Sequence, residues 1–263
     1  PASDEGRAMM KLINDSAHGA NLGFHTAVVG GLAGFASGIR ELADAGCTII
    51  VDDIRYASQP FYQDGPVTNA IDDVVTNDGV AYFSSAGNDG QNSYEAPFRN
   101  SGEPGESSTN SVRHDFDPWT STDTRQEITI RDGGTFEIFP LQWTDPSARV
   151  EGSSGPDTDL DIALVDNDNN IKAMGSNNDN IANGDPSEIL EYTNDTGSTQ
   201  TLDLVIEKAS WPDPDHIKYN DGISNTAPTE SNEVIEEYDV TGPTLYAHTM
   251  SEGALAVAAA NFY

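Results

Sequence analysis

The sequence is poor in cysteine and in positive charge. Its single cysteine, Cys47, rules out an internal disulfide. Cys47 precedes the apolar run 48–51, where a small buried side chain is expected and a reactive thiolate is not. Only 12 Lys and Arg stand against 44 Asp and Glu, so the formal net charge is −32. Such a field repels nucleic acid and anionic membranes, and we exclude both as partners.

Long apolar runs are also missing. The most apolar stretch, 20–39, contains five glycines and several polar residues, so no segment is predicted to span a membrane. No positively charged, apolar signal segment opens the sequence, because Pro1 leads directly into Asp4 and Glu5. This start is typical of a cut within a longer chain.

The acidic excess has two interpretations. The acids can form a solvated, mutually repelling surface of the halophilic or marine type, because molar salt shortens the screening length to about 3 Å. They can instead form cation sites. Lysine is scarce and the acids are spread over both halves of the chain, which favours the halophilic surface and leaves room for some bound calcium.

Helix and strand patterns alternate between residues 5 and 100. The predicted helices are 6–13, 35–45 and 67–77, and the predicted strands are 20–24, 47–51 and 80–85. The strand 47–51 is almost wholly apolar, as expected of a buried parallel strand. The alternation therefore predicts an α/β fold, with a parallel sheet flanked by helices.

The pattern changes after about residue 100. Residues 101–125 read as a loop or linker, and short strands with Asp, Asn and Gly turns follow. These strands are predicted at 128–130, 135–143, 160–165, 189–192 and 202–206. Regularly spaced short strands predict an antiparallel β-sandwich. We therefore expect an α/β core formed by 1–100 and 243–263, with a β-sandwich domain inserted at 104–240.

Several short motifs occur in a characteristic order along the chain. The segment 17–22 (AHGANL) comes first, then the pattern from Gly38 to Ile50, then 84–88 (SSAGN) at the end of a predicted buried strand, and finally 253–259 (GALAVAA). In this order they resemble the subtilisin-like serine peptidases, or subtilases. Those enzymes have a strand that ends Ala-Ala-Gly-Asn, with an apolar small-residue strand after it. The resemblance covers about 1–98 and 243–263.

The resemblance implies a secreted endopeptidase with a subtilisin-like parallel sheet, a peptide or protein substrate and no cofactor required for chemistry. It places Asn88 where the family's asparagine donates a hydrogen bond to the oxyanion. The alternative for Asn88 is a plain turn residue before Asp89 and Gly90.

The resemblance also places Glu5, not histidine, where the family's catalytic base belongs. A carboxylate can act as base when a second acid shares its proton, as in the sedolisins, which are similar to subtilases. Sedolisins carry that second acid four residues later, where this chain has Met9, and they have Asp at the position of Asn88. The alternative for Glu5 is a first-turn acid that interacts with the helix dipole.

Asp53 is the candidate partner for Glu5. It follows Asp52 at the end of the predicted strand 47–51, and doubly wound sheets place their sites at the carboxyl ends of strands. Two neighbouring carboxylates raise one pKa, as a carboxylate base near neutrality requires. The alternative is that Asp52 or Asp53 only caps the following turn.

The family's nucleophile motif, Gly-Thr-Ser-x-Ala, does not occur among the 263 residues, and its catalytic Asp is expected upstream of Glu5. The sequence alone should therefore be inactive as a peptidase. The alternative function is a catalytically degenerate binding or scaffold module, whose insertion recognises a partner or a glycan. The three tryptophans Trp119, Trp143 and Trp211 could form a sugar platform, although Trp143 ends an alternating strand and is expected in the core.

Two acidic clusters in the insertion, 157–161 and 166–170, are candidate calcium loops or solvated hairpin turns. An EF-hand is excluded, because the second cluster lacks the sixth-position Gly and has Asn177 at the twelfth position. The phrase 159–162 (DLDI) resembles jelly-roll modules attached to bacterial secreted peptidases. Of the five histidines, we expect only His248 near the core, as a hydrogen-bonded structural residue.

Salt should stabilise this protein. We expect the melting temperature to rise markedly between low and molar salt, because screening weakens the repulsion within a chain of net charge −32. A melting temperature that stays flat across that range would show that the acids are already paired with bound cations. Calcium chelation would then be the experiment to follow.

Overall fold

The computed structural model describes residues 4–90, 92–119, 121–175, 179–209, 212–223, 233–235, 237–238 and 242–260. The fold is a mixed α/β fold, with one parallel sheet, two antiparallel sheets and few helices. The chain divides into two units. The first, here called the α/β unit, comprises Pro1–Gln59, Asp64–Ala86 and Tyr246–Tyr263; the second, the antiparallel unit, comprises Pro60–Gln63 and Gly87–Leu245.

The helices in chain order are α1 (Glu5–Ser16), α2 (Gly31–Asp44), α3 (Pro66–Asp78) and α4 (Asn180–Asn183), with one 3₁₀ turn at Ala247–Met250. The strands are β1 (Ile49–Asp52), β2 (Ala81–Ser85), β3 (Ser93–Pro97), β4 (Asn100–Pro104), β5 (Val112–His114), β6 (Gln126–Ile130), β7 (Thr135–Trp143), β8 (Leu160–Val165), β9 (Ile171–Met174), β10 (Ser187–Thr193), β11 (Gln200–Lys208), β12 (His216–Ile223), β13 (Glu233–Ile235) and β14 (Ala254–Val257). None of the helices in the described part of the chain is long and apolar enough to cross a membrane.

The α/β unit is built on a three-stranded parallel sheet in the order β1-β2-β14. Helices α2 and α3 pack on one face of it, and the core lies between them and the inward side chains of β1 and β2. Pro66 opens α3, where its missing N–H costs no hydrogen bond. Gly79 ends α3 with a φ of 69°, a conformation that glycine adopts without strain.

The opposite face of the parallel sheet is open to solvent. Ile49, Val51, Leu255 and Val257 point to it, and each is between 47% and 62% exposed. Helix α1 buries none of its residues. The strand predicted at 20–24 is wrong, because this segment is extended without pairing to any described strand. A strand needs a hydrogen-bonded neighbour, which the local pattern of side chains does not reveal.

The antiparallel unit contains two sheets that enclose one apolar core. The first sheet has the order β10-β7-β12-β3. The second has the order β13-β6-β11-β5-β4, with β8 also paired to β11 and β9 paired to β8. Alternation along β7 places Phe136 and Ile138 in this core, and Trp143 is 1% exposed, as predicted. Trp211 and Asn177 lie outside the described residues.

The structure moves several predicted boundaries. Segment 87–100, assigned above to the α/β core, belongs to the antiparallel unit, because β3 pairs with β12. The linker predicted at 101–125 contains the end of β4 and all of β5. The expectation that only His248 lies near a core is also wrong, because His114 is fully buried among aromatic rings in the antiparallel unit.

His114 stays neutral because of that burial. Desolvation, followed by the charge of Arg99, lowers its pKa to about 3. Its Nδ1 accepts a hydrogen bond from the backbone N–H of Arg99 at 3.1 Å, and its Nε2 lies 2.9 Å from the hydroxyl of Tyr94. Nε2 therefore carries the hydrogen and donates it to Tyr94.

Candidate functional site

The carboxyl edge of the parallel sheet carries a set of polar residues. Asp52 is the last residue of β1, and Ser84 lies opposite it in β2. Both side chains face the helices, on the same side as Ile50 and Tyr82, because residues two apart in a strand share a face. The sequence thus places a carboxylate and a hydroxyl side by side at the end of a buried strand pair.

His248 joins these two groups. It lies in the 3₁₀ turn that precedes β14 and is 1% exposed. Its Nε2 lies 3.1 Å from Oδ1 of Asp52 and 3.2 Å from Oγ of Ser84, and the Ser84 hydroxyl donates to the same Oδ1 at 2.9 Å. One imidazole nitrogen, one hydroxyl and one carboxylate oxygen therefore form a closed triangle that links β1, β2 and the 3₁₀ turn before β14.

The other ring nitrogen of His248 faces Gln59. The backbone N–H of His248 donates to Oε1 of Gln59 at 3.1 Å, and this obligate donor fixes the orientation of the amide group. The same Oε1 lies 2.7 Å from Nδ1, so Nδ1 must carry a hydrogen. Nε2 meets a carboxylate oxygen, and that contact also needs a proton because two acceptors would repel each other. The His248 and Asp52 pair thus holds one proton between its members.

The rest of the cluster is apolar or tightly buried. The ring of His248 packs edge-on against Phe35 of α2, with 5.5 Å between ring centroids. Burial, and then the charge of Asp52, raises the pKa of Tyr82 far above its usual value. A Ser-His-Asp triad needs the serine and the aspartate on different ring nitrogens. Here both lie on Nε2 and Ser84 is 1% exposed, so Ser84 is not a nucleophile.

The three site residues predicted from the sequence are all exposed. Glu5 is the first residue of α1, Asp53 directly follows β1, and Asn88 lies three residues beyond the end of β2. Neither carboxylate has a hydrogen bond or ion pair with any residue that the structure describes, so Asp53 does not cap its own turn. Asn88 belongs to the antiparallel unit, whereas Glu5 and Asp53 belong to the α/β unit. That the three act together stays a prediction.

Comparison with protein-family models, with curated proteins and with solved structures finds no match.

The acidic cluster predicted at 157–161 gathers buried carboxylates in the antiparallel unit. Asp161 lies directly across the β8–β11 ladder from Glu207, and both are buried. Burial, followed by the charges of Asp159, Glu188 and Glu207, raises the pKa of Asp161 to about 7. Asn180 adds hydrogen bonds to the cluster, from its backbone N–H to Asp159 and from its side chain to Glu188.

Glu207 is hydrogen-bonded by the loop that wraps it. Its oxygens accept hydrogen bonds from the backbone N–H groups of Glu106 and Ser107 at 2.6 and 3.0 Å, and from the hydroxyl of Ser111 at 3.2 Å. A Cβ on Gly105 would stand 1.9 Å from one of these oxygens, so only glycine fits there. Three donors stabilise a carboxylate anion, and this anion then disfavours a second negative charge on Asp161.

Among the described residues, no three or more His, Cys, Asp or Glu side chains are arranged to hold a metal ion. The second predicted cluster, 166–170, forms the hairpin turn between β8 and β9, where Asp166 accepts hydrogen bonds from its own turn and an ion pair from Lys172. These contacts, with Lys172 contributing most, lower the pKa of Asp166. A structural calcium stays a prediction.

The sequence did not reveal the roles of His248, Ser84 and Gln59. The pattern marked His248 as near the core and Asp52 as a strand-end acid. Local sequence patterns reveal no more than this, because the contacts among His248, Asp52, Ser84 and Gln59 join residues far apart in the chain. A serine in a buried strand, such as Ser84, is the one signal that points to a buried polar partner.

Asp161 should make the stability of the antiparallel unit depend on pH. Its folded pKa of about 7 lies above its usual value of 3.8, so the folded state binds the proton more tightly. Stability should therefore be highest below about pH 4 and fall as pH rises towards 7, by about 2–4 kcal/mol at most. Asp161→Asn should remove this slope and stabilise the protein at pH 8. The measurement is urea unfolding between pH 4 and 8, followed by tryptophan fluorescence.

The matched control for this prediction is Asp195→Asn, which changes an exposed carboxylate of the same unit. This variant should keep the pH dependence of the unfolding free energy seen in the unchanged protein, including any part due to general charge repulsion. A slope that survives in Asp161→Asn would contradict the assignment of the proton to Asp161.

Proposed function

We propose that the chain is the central part of a subtilisin-like serine endopeptidase that hydrolyses peptide bonds in peptide or protein substrates. The observation that carries the proposal is the parallel pairing of β14 with β2. The motif 253–259 resembles the family's strand that follows the oxyanion asparagine, and a neighbour of β2 is where that resemblance requires it. A jelly-roll-like sandwich, formed by the antiparallel unit, then interrupts the peptidase core between these two strands.

Asn88 would supply the electrostatic part of the reaction. Its side-chain amide donates to the oxygen of the scissile carbonyl as negative charge develops there in the transition state. Exposure of Asn88 just beyond the end of β2 supports this role, because the amide is accessible to a substrate. The nucleophilic serine would come from polypeptide outside these 263 residues, since the Gly-Thr-Ser-x-Ala motif does not occur in them.

Glu5 would act as the general base, with Asp53 as the second acid. Both carboxylates lie at the ends of elements in the α/β unit, and both are exposed to a substrate and to solvent. A carboxylate works as a base near neutral pH when burial or a second acid favours its protonated form. Closure over a bound peptide would exclude water and supply that condition.

The setting of the enzyme follows from the same resemblance and from the charge. We propose secretion and a halophilic or marine environment, in which the net charge of −32 keeps the protein soluble. The chemistry itself requires no cofactor. A structural calcium near 157–161 remains part of the proposal.

A second candidate function is a degenerate peptidase fold that binds a partner or glycan without cleaving it. The specific observation in its favour is that Glu5 and Asp53 have no partner in the described part of the chain, so the carboxylate pair is not preassembled. Trp119, which is 84% exposed in the antiparallel unit, would provide an aromatic contact surface. Peptide binding without hydrolysis by the full-length protein would support this candidate.

Asn88→Ala tests the proposed function directly. In the full-length protein, kcat for a chromogenic peptide should fall by about 10²–10³-fold with little change in KM, because the lost hydrogen bond forms fully only in the transition state. Asn69→Ala, an exposed amide on α3, is the matched control and should leave kcat unchanged. If the unchanged protein hydrolyses no peptide and takes up no fluorophosphonate label, the peptidase proposal fails.

Glu5→Gln tests whether Glu5 is the general base, which the peptidase function requires and the binding function does not. The amide cannot accept the serine proton, so peptide hydrolysis should be abolished while circular dichroism shows an intact fold. The control is Asp15→Asn, which changes another exposed acid on α1. An unchanged rate in Glu5→Gln would mean that some other residue is the base.

A further inference from the structure

One imidazole holds both ends of a short loop. The loop 53–58 starts after Asp52 and ends before Gln59, and the two ring nitrogens of His248 lie 3.1 Å and 2.7 Å from those two side chains. The backbone N–H of His248 adds a second hydrogen bond to Gln59, at 3.1 Å. The loop is thus tied at its start and at its end to a single residue that lies far away in the sequence.

The middle of the loop is held by packing and by one hydrogen bond. Residues 53–56 belong to no helix or strand, and the carboxylate of Asp53 contacts no described side chain. Ile54 and Tyr56 pack against the core of the α/β unit, and the hydroxyl of Tyr56 donates to the carbonyl of Ala27. The position of the Asp53 carboxylate therefore depends on its backbone, which lies between the anchored start of the loop and Ile54.

We propose that His248 is a positioning residue that clamps both ends of the loop 53–58 and so fixes the Asp53 carboxylate at the carboxyl edge of the sheet. Its importance for catalysis rests on the proposed peptidase function, in which Asp53 is the second acid beside the general base Glu5. The clamp itself rests only on the contacts of His248, Asp52 and Gln59. Nδ1 donates to Gln59 at one end of the loop, and the proton between Nε2 and Asp52 joins the ring to the other end.

Packing alone does not account for this arrangement. An apolar residue would fill the space beside Phe35 equally well, whereas the imidazole brings two ring nitrogens that each meet a buried polar side chain. Asp52 and Gln59 are 9% and 3% exposed, so water replaces neither contact easily. Loss of the imidazole removes one hydrogen bond from each of them, while Asp52 keeps the Ser84 hydroxyl and Gln59 keeps the backbone N–H of residue 248.

Limited trypsin digestion of the whole chain tests the clamp without any need for activity. Arg55 is exposed and lies within the loop, and Lys11 on α1 provides an internal reference site. His248→Phe keeps an aromatic ring beside Phe35 and removes both donors. We expect cleavage after Arg55, relative to cleavage after Lys11, to become about 10–100-fold faster, because two hydrogen bonds to the loop ends are lost.

Two further variants each keep half of the clamp. His248→Asn retains a donor near the position of Nδ1, towards Gln59, and His248→Gln retains one near the position of Nε2, towards Asp52. Both should give cleavage rates between those of the unchanged protein and His248→Phe. His18→Gln, which changes an exposed histidine of the same unit, should have no effect. If His248→Phe does not fold, these two variants decide the question.

The outcomes separate the clamp from the peptidase proposal. Unchanged cleavage after Arg55 in folded His248 variants overturns the clamp. Faster cleavage together with a lower kcat and an unchanged KM, in the full-length protein, supports positioning of Asp53. Faster cleavage with an unchanged kcat overturns the role of the clamp in catalysis. If the unchanged protein hydrolyses no peptide, the proposed function fails, and the digestion still decides whether His248 holds the loop.

Discussion

The parallel pairing of β14 with β2 is the interaction on which the α/β unit depends. Without it, β2 would have a single neighbour in the sheet, and the 3₁₀ turn that carries His248 would lose the strand that follows it. The backbone N–H of Ala86 donates to the carbonyl of Val257 at 2.8 Å, so the pairing extends to the last residue of β14. Through this pairing, residues from three distant stretches of chain meet at one edge of the sheet, and the buried polar cluster forms there.

β2 and β14 pair across a long intervening segment, most of which forms the antiparallel unit. The fold of that unit lowers the entropy cost of bringing the two strands together. Its own ends meet, because the hydroxyl of Thr244 donates to the carbonyl of Gly90 at 3.0 Å and Gly242 donates to the carbonyl of Ser93 at 2.8 Å. A folded unit whose ends lie together acts on its host as a short loop, whatever its length. For a flexible segment the entropy of closure would also grow only slowly with length. Two separate apolar cores in one chain follow from this arrangement.

Local sequence patterns predicted the helices and strands that can be recognised without knowing which segment they pair with. Apolar periodicity and glycine stops gave α3 almost to the residue, and short apolar segments between turn residues gave β7 and β8 with the observed bounds. The patterns failed where pairing decides. The segment 20–24 looks like a strand and has no neighbour, whereas β4 and β5 look like a linker and are paired to each other. The exposed positions of the candidate site could be named from the motif, but the hydrogen bonds around His248 could not, because they join residues that only the fold brings together.

Burial divides the acidic side chains into two kinds. Glu207 is buried and accepts three hydrogen bonds, and burial together with neighbouring carboxylates, Glu207 among them, raises the pKa of Asp161. Asp52 is buried and lies 3.1 Å from Nε2 of His248. Glu5 and Asp53 are exposed and keep their hydration, so their chemistry depends on what covers them. The buried carboxylates Asp52, Asp161 and Glu207 are thus held by neighbouring side chains and backbone groups, whereas Glu5 and Asp53 face solvent.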